Sequence, residues 1–377
     1  MASAAGRSLP GLTDRVPAPP LTAVDLFCGA GGLSRGLADA GIAVLAAADN
    51  WAPAQRTYEA NFGHPFLRAD LGDEHPEAVA DALDLPAGPD IVVGGPPCQG
   101  FSIQRIGGDA DARNDLVLRF AALALALGPR AVVMENVPGL LGKRGAAIAG
   151  RYVQMLAAAG YRTSHHRLNA VDYGVPQLRR RVVFLSWREG DGPLAPPRPS
   201  VAAGSHVTVA QAIGDLPSPP TDLTPHPDDP LHRRTRLSRL NEERLRHIPP
   251  GGGFEHLPVD LRVACHRDGP GRIGHRNVYG RLHPHEPSVT ITARFDSFTR
   301  GKFAHPWEDR NITLREGARL QSFPDDHAFH GTQEEVAALI GNAVPPVMAH
   351  AVAEAVARSL RDPEPAAQLQ LLGASAP

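Results

Sequence analysis

The stretch AVDLFCGAGGLSRGL, residues 23–37, decides how the rest of the chain is read. A short apolar run, Ala23–Phe27, ends in a glycine-rich turn, and a helical pattern follows. Gly29 and Gly31 allow a tight turn and a close approach of backbone to a ligand. The helix behind the turn starts with unpaired N–H groups that favour a polar or anionic group. Gly41 stands where such a helix ends. A second apolar run, Ile42–Ala48, then delivers Asp49. An acid at the end of the second strand, roughly 20 residues past the turn, is placed to hold a ribose hydroxyl. The pattern fits a dinucleotide, a flavin or S-adenosylmethionine, or a tight turn with no ligand. Cys28, inside the turn, reads as a small packed residue.

Outward from this unit the pattern repeats. Asp90–Val93, Ala131–Glu135 and Arg181–Trp187 are further short apolar runs, with helical segments between them. Runs apolar on both sides are expected of parallel strands covered on both faces. Residues 21–192 therefore predict an α/β fold with a doubly wound, Rossmann-like sheet. Pro-rich residues 190–200 read as a linker. Residues 201–325 form a smaller, irregular unit: 201–275 are rich in Pro, His and Arg, and beyond them a strand is expected at Ser288–Arg294 and a helix at Leu314–Gln321. Thr332 and Glu335 make a capping box that opens a helix. Gly341 and Pro345-Pro346 interrupt that helix. The last one carries Met348, Val352, Val356 and Leu360 as an apolar stripe that must dock on something. Residues 332–361 are thus C-terminal helices, and 1–20 and 362–377 are expected to be disordered or loose.

Composition narrows the classes. A net charge of −2 gives no global basic field, so a nucleic-acid partner would need local charge. Lys143 and Lys302 are the only lysines, so arginine supplies that charge. The three cysteines, Cys28, Cys98 and Cys265, lack metal-ligand spacing, and no metal is expected. The first residues lack the apolar run of a signal peptide, and no stretch reads as a membrane span, so a cytoplasmic protein is expected.

Three segments carry chemistry. In DIVVGGPPCQGFS (90–102) a buried strand ends in Gly-Gly, and Pro96-Pro97 stiffen the chain before Cys98. A thiol there sits at the C-terminal edge of the sheet, where open α/β folds bind ligands. It needs a lowered pKa to act as a nucleophile. In AVVMENVPGLL (131–141) a strand delivers Glu135, a carboxyl suited to general acid work. In QLRRRVVF (177–184) Gln177, Arg179 and Arg181 alternate and share one face of a strand. Two such arginines can grip a phosphate or meet charge developing at a base carbonyl.

The ordered set DLFCGAGG, GGPPCQGFS, ENVPGLL, QLRRRVVFL, RLHPHEPSVTIT and GNAVPP resembles the bacterial DNA (cytosine-5)-methyltransferase family, over residues 22–358 with a variable gap at 190–275. The resemblance implies a Rossmann-like S-adenosylmethionine-dependent methyltransferase domain with a target-recognition domain at 201–325. It implies that Phe27, Gly29 and Gly31 line the S-adenosylmethionine pocket, with Asp49 on the ribose and Asp70 on the adenine amino group. Pro97 and Cys98 would form the catalytic turn, and Glu135 would meet N3 of cytosine. Arg179 and Arg181 would hold a flipped nucleotide, and Asn342 and Val344 would complete the cofactor side. The implied reaction adds Cys98 to C6 and methylates C5; no residue is assigned to remove the C5 proton. The product of the cofactor would be S-adenosyl-L-homocysteine.

A base can be methylated this way only when flipped from the duplex. The segment Gln99–Arg113, with Gly100, Gly107 and Gly108, is expected to close over DNA, and Gln99 and Ser102 to touch it. Residues 231–247 hold six arginines against two glutamates, and residues 262–281 hold five more. These local basic patches suit a DNA backbone and guanine edges, with Arg233, Arg236 and Arg276 as candidate contacts. The resemblance implies double-stranded DNA as partner, a possible companion restriction endonuclease and a monomer. A tRNA methyltransferase, a non-catalytic DNA-binding protein and a Rossmann oxidoreductase are the rival readings.

Overall fold

The computed structural model describes residues 19–97, 116–263 and 278–362. The expectations for residues 1–18, Cys98–Arg113, Cys265, Arg276 and 363–377 fall outside them.

The order of elements follows the alternating pattern. β1 (Thr22–Leu26), α1 (Gly32–Asp39), β2 (Ala43–Asp49), α2 (Ala52–Asn61) and β3 (Phe66–Arg68) form one wing. α3 (Pro76–Ala82), β4 (Ile91–Gly94), α4 (Leu116–Leu127), β5 (Ala131–Asn136), α5 (Ala146–Ala158), β6 (Tyr161–Asn169) and β7 (Arg180–Arg188) form the other. The seven strands lie in the order β3-β2-β1-β4-β5-β7-β6. β1 is flanked by β2 on one side and β4 on the other, both parallel to it. Between β1 and β4 the winding reverses, and in such sheets ligands bind at the C-terminal strand ends beside that point.

The side chains of each strand alternate between two cores, as the pleat requires. Ala23, Ile91, Val93, Val133 and Leu185 face one layer with α1 and the C-terminal helix. Val24, Leu26, Val92, Val132, Met134 and Phe184 face the other with α3, α4 and α5.

Two expectations change here. Arg181–Trp187 is a strand, but β7 pairs antiparallel with β5, from Ala131 opposite Trp187 to Asn136 opposite Val182. β6, its outer neighbour, pairs antiparallel too and has the mixed sequence YRTSHHRLN. An edge strand needs no continuous apolar run, so β6 is silent in the hydrophobic pattern. Ser288–Arg294 is not a strand; it makes one bridge, Ser288 to Gln177. Its backbone groups go to side chains instead: Ile291 N–H donates to Gln177 Oε1, and the Ile291 carbonyl accepts from Arg179.

The second region holds α6 (Val209–Ile213), α7 (Arg239–Arg246), β8 (Gly280–Arg281), β9 (Lys302–Ala304) and α8 (Leu314–Leu320). With so little regular structure, buried ionic groups tie its loops together. Arg281 is 4% exposed and donates to the carbonyls of Leu245, Ile248, His305 and Glu308 and to Asp309. It is therefore a staple, not part of the basic surface. Arg310 forks onto Glu316, with Nη1–Oε2 2.8 Å and Nη2–Oε1 2.7 Å. Glu316 also accepts the Thr313 N–H in the capping box of α8.

α9 (Gln333–Asn342) opens on the expected Thr332–Glu335 box, and α10 (Pro346–Arg361) carries the apolar stripe. The stretch Gln333–Arg361 is long and apolar enough to cross a membrane by length and composition alone, yet 72% of its most apolar window is buried in the molecule. α10 docks on α1, where a Cβ on Gly36 would lie 2.5 Å from Ala349 Cβ and from His350 N. Glycine at this position lets the two helices touch.

Candidate active site

A cavity of about 470 Å³ opens at the switch point of the sheet. Its walls come from the ends of β1, β2, β4 and β5, the start of β7, and the turn between α9 and α10. Phe27, Gly29 and Asp49 line one side, and Asn342 and Val344 line the adjoining wall. Pro97, Glu135, Arg179 and Arg181 line the other end. Nine of the expected residues therefore converge from distant sequence positions. Cys98 itself lies outside the described residues.

The glycine turn after β1 is built with strain and careful capping. Phe27 leaves β1 at φ +58°, a left-handed conformation that side chains rarely adopt. Gly29 follows at φ +54°, and a Cβ there would meet nothing within 4 Å, so its backbone faces open space. Gly31, at φ +82°, serves packing instead: a Cβ would strike the Phe62 ring. It does not line the cavity, contrary to expectation. Gly31 is also the N-cap of α1 and has no side chain to cap with. Asp25, fully buried, accepts the Ser34 N–H at 3.1 Å and its hydroxyl at 2.7 Å in its stead. Burial pushes the Asp25 carboxyl up to about 7, against the Ser34 bonds that lower it.

Asp49 closes the turn from β2. Its Oδ2 accepts the Gly29 N–H at 3.0 Å, and its Oδ1 accepts the Trp51 N–H at 2.9 Å. Burial raises this carboxyl above its ordinary range, and the two N–H bonds oppose that. Trp51 also lines the cavity, which the sequence reading passed over. A large aromatic directly behind the strand-end acid was the available signal. Asp70, by contrast, is exposed, accepts the Gly72 N–H in a local turn, and is not in the cavity wall. Cys28 is buried among Ala47, Tyr58 and Phe66, and burial pushes its thiol up, as suits an inert packed residue.

At the other end, Glu135 and Arg181 form an ion pair, Nε to Oε1 2.8 Å, with both side chains largely buried. The antiparallel course of β7 makes this pair possible. It brings the start of β7 beside the end of β5, at the edge of the sheet where the cavity lies. Asn136, next to Glu135, donates from Nδ2 to the Pro96 carbonyl at 3.1 Å. That bond fixes the Pro-Pro turn to β5, a contact the sequence reading did not anticipate.

Arg179 does not present a free cation. It is 2% exposed, and its guanidinium donates to the carbonyls of Ile291, Gly341 and Ala343. Burial, then the neighbouring charge of Arg181, lowers its pKa well below that of an ordinary arginine. Arg179 lines the cavity, as expected of a residue holding the nucleotide, but with its guanidinium committed to these carbonyls. Arg233 and Arg236 are exposed and lie away from the cavity; Gln99, Ser102 and Arg276 are outside the described residues.

A match to the family model for C-5 cytosine-specific DNA methylases runs over residues 21–358. The chain belongs to that family. As a DNA (cytosine-5)-methyltransferase it has relatives along nearly its whole length. The Type II methylase M.HgiDII of Herpetosiphon aurantiacus is 32% identical over 342 residues, spanning 89% of this chain and 95% of the relative. The Type II methyltransferase M1.HphI of Haemophilus parahaemolyticus is 35% identical, over 89% of this chain and 86% of its own. A solved E. coli structure, assigned as a prophage-encoded DNA modification methyltransferase, superposes with TM-score 0.70 at 25% identity, covering 91% of this chain and all of that one. The S. pombe Dnmt2 methyltransferase shares the fold at TM-score 0.57 and 17% identity. The family and fold imply use of S-adenosylmethionine and double-stranded DNA as substrate. The residues fit the cofactor: a glycine turn faces open space, and a half-buried acid, Asp49, stands at its lip. No group of three or more His, Cys, Asp or Glu suited to a metal occurs among the described residues.

The methyltransferase's glycine turn also has a pH-sensitive support. His327 is buried between the Phe323 and Phe329 rings and hydrogen-bonds the Ala30 carbonyl through Nε2 at 3.0 Å. Burial lowers its pKa to about 4. The unfolded chain, titrating near 6.5, therefore binds more protons between those values, and stability rises with pH across that window. Stability supplied by neutral His327 is complete above pH 6.5 and is lost as pH falls toward 4, by up to about 3 kcal/mol. Urea denaturation from pH 7 to 4 measures this. His327→Gln, which keeps a donor for Ala30, is expected to flatten the slope, and an unchanged slope would show that His327 does not contribute.

Proposed function

We propose that this enzyme transfers a methyl group from S-adenosylmethionine to C5 of a cytosine flipped out of a specific double-stranded DNA sequence, through a covalent Cys98–C6 adduct. The observation that carries the reading is the buried Glu135–Arg181 pair beside the Pro96-Pro97 turn, directly before Cys98.

Cytosine C5 is a weak nucleophile. A Cys98 thiolate adding to C6 puts electron density on C5, and Glu135 hydrogen-bonds or protonates N3 as charge enters the ring. Arg181, held by Glu135, faces the O2 side, where negative charge develops. When bound, S-adenosylmethionine supplies an electrophilic methyl group for C5 and leaves as S-adenosyl-L-homocysteine; no metal takes part. Loss of the C5 proton to a base then lets Cys98 leave as thiolate. Phe27, Gly29, Asp49, Trp51, Pro97, Asn342 and Val344 would hold the cofactor.

Residues 21–192 would serve as the catalytic unit, 201–325 as the target-recognition unit, and 332–361 as the return to the catalytic unit. Arg233 and Arg236 are exposed cations on the recognition side, and with Gln99, Ser102 and Arg276 they are assigned to the DNA. The names of the relatives support a place in restriction–modification, with a cognate endonuclease as partner, or in epigenetic marking. The enzyme would act as a monomer in the cytoplasm.

The test is transfer of a labelled methyl group to DNA and to tRNA, with Cys98→Ser as control. Labelled DNA with the parent and none with the variant is expected. Full labelling by Cys98→Ser, or labelled tRNA alone, overturns the proposal. Bisulfite sequencing of the product reads out the target site.

A further inference from the structure

The geometry points to Arg179 as a positioning residue for the cofactor wall, not a contact to the target nucleotide. This rests on the reading of the cavity as the S-adenosylmethionine site.

The turn between α9 and α10 supplies Asn342 and Val344 to that wall. A helix that ends leaves its last carbonyls without partners, and a cation placed there satisfies them. Arg179 does this from another part of the chain. Its Nη1 donates to Gly341 O at 3.1 Å and its Nη2 to Ala343 O at 2.8 Å, so it holds both neighbours of Asn342. Nη1 also donates to Ile291 O at 3.0 Å, anchoring the guanidinium on the second region.

A second buried group works on the same turn. Gln321, at the end of α8, donates from Nε2 to Ile340 O at 2.5 Å. Its Oε1 accepts from Gln177 Nε2 at 2.8 Å, and Gln177 Oε1 accepts the Ile291 N–H. Gln177, Arg179 and Gln321 are all 2% exposed or less. From the opposite side Gly32, the first residue of α1, leaves room for the Val344 carbonyl; a Cβ there would collide with it. The turn is thus held between the cofactor loop and a buried polar knot. Arg179, just before β7, and Arg181, within it, divide the work: Arg181 faces Glu135, and Arg179 faces the cofactor wall.

Arg179→Lys keeps a cation but cannot fork onto carbonyls this way, and Arg179→Met removes the donors. Gln321→Met loosens the same turn from α8, away from Glu135. Binding of S-adenosylmethionine to the DNA-free protein by calorimetry is the first readout. Amide exchange at residues 341–344 in the ligand-free protein is the second. All three variants are expected to weaken S-adenosylmethionine binding by tenfold or more and to speed that exchange, with Arg179→Lys the mildest. KM for S-adenosylmethionine should rise accordingly, while kcat at saturating cofactor stays within about threefold and KM for DNA holds. If Arg179→Met fails to fold by circular dichroism, Arg179→Lys and Gln321→Met carry the same comparison. A fall in kcat or a rise in KM for DNA with cofactor binding unchanged overturns the inference and returns Arg179 to the nucleotide. A parent protein that binds no S-adenosylmethionine overturns the cavity assignment instead.

Discussion

Glu135→Gln is expected to lower kcat for DNA methylation by roughly 10²–10⁴-fold, the range for loss of a positioned general acid. The substitution preserves shape but removes both the exchangeable proton and the charge that orients Arg181. The Glu135–Arg181 pair is largely buried, so losing one partner leaves the other charge without compensation. Arg181→Gln should therefore show a large loss of its own, and the double variant should lose much less than the sum, because the two residues form one ion pair. Single-turnover methylation at saturating S-adenosylmethionine separates this from a binding defect. A kcat within threefold of the parent for Glu135→Gln would remove Glu135 from the chemistry.

The second large effect concerns stability. Glu316→Gln should cost about 1–3 kcal/mol, since it removes two buried charge-assisted hydrogen bonds and leaves Arg310 with Glu308, at 3.0 Å, as its remaining carboxylate. Arg310 and Glu316 are 3% and 1% exposed, with two forked hydrogen bonds between them. Burial opposes ionisation of Glu316, yet Arg310 and the Thr313 N–H hold its carboxyl below the usual range. The pair closes the start of α8, and Gln321, just past the end of α8, donates to Ile340 O in α9. Replacing both partners, Arg310→Met with Glu316→Leu, should recover much of the loss, because Glu308, which also pairs with Arg310, keeps Arg234 at 2.9 Å. Urea unfolding of the two variants decides the matter. A loss below about 1 kcal/mol for Glu316→Gln would mean that water reaches Arg310, as at an exposed pair.

The parallel half of the sheet and the cavity above it were legible in the sequence. Strands covered on both faces must be apolar, and Gly29, Asp49, Pro97 and Glu135 fall at the ends of four of them. The direction of β7 was not legible, because an apolar run reads the same either way along. Its antiparallel pairing decides where Arg181 goes. Arg179 and Arg281 mislead for a different reason. In a sequence an arginine suggests surface charge or an anionic ligand, but the partners of these two are mainly backbone carbonyls, which no residue letter records. Asn136 was hidden likewise, since it holds the Pro96 carbonyl and not a side chain. The residues Ser288–Arg294 look like a strand because they alternate. The side chains of Gln177 and Arg179 take the backbone partners a neighbouring strand would have used.

The docking of α10 on α1 has a consequence for how the enzyme is made. α1 leaves the ribosome among the first elements, and α10 follows some three hundred residues later. Until then the apolar face of α1 and the strands beneath it have no cover on that side, and Asn342 and Val344 are not yet in place. A nascent chain therefore carries its glycine turn long before it has a closed cofactor site. A chain cut short before α9 would lack Asn342 and Val344, and with them one wall of the cavity at the switch point.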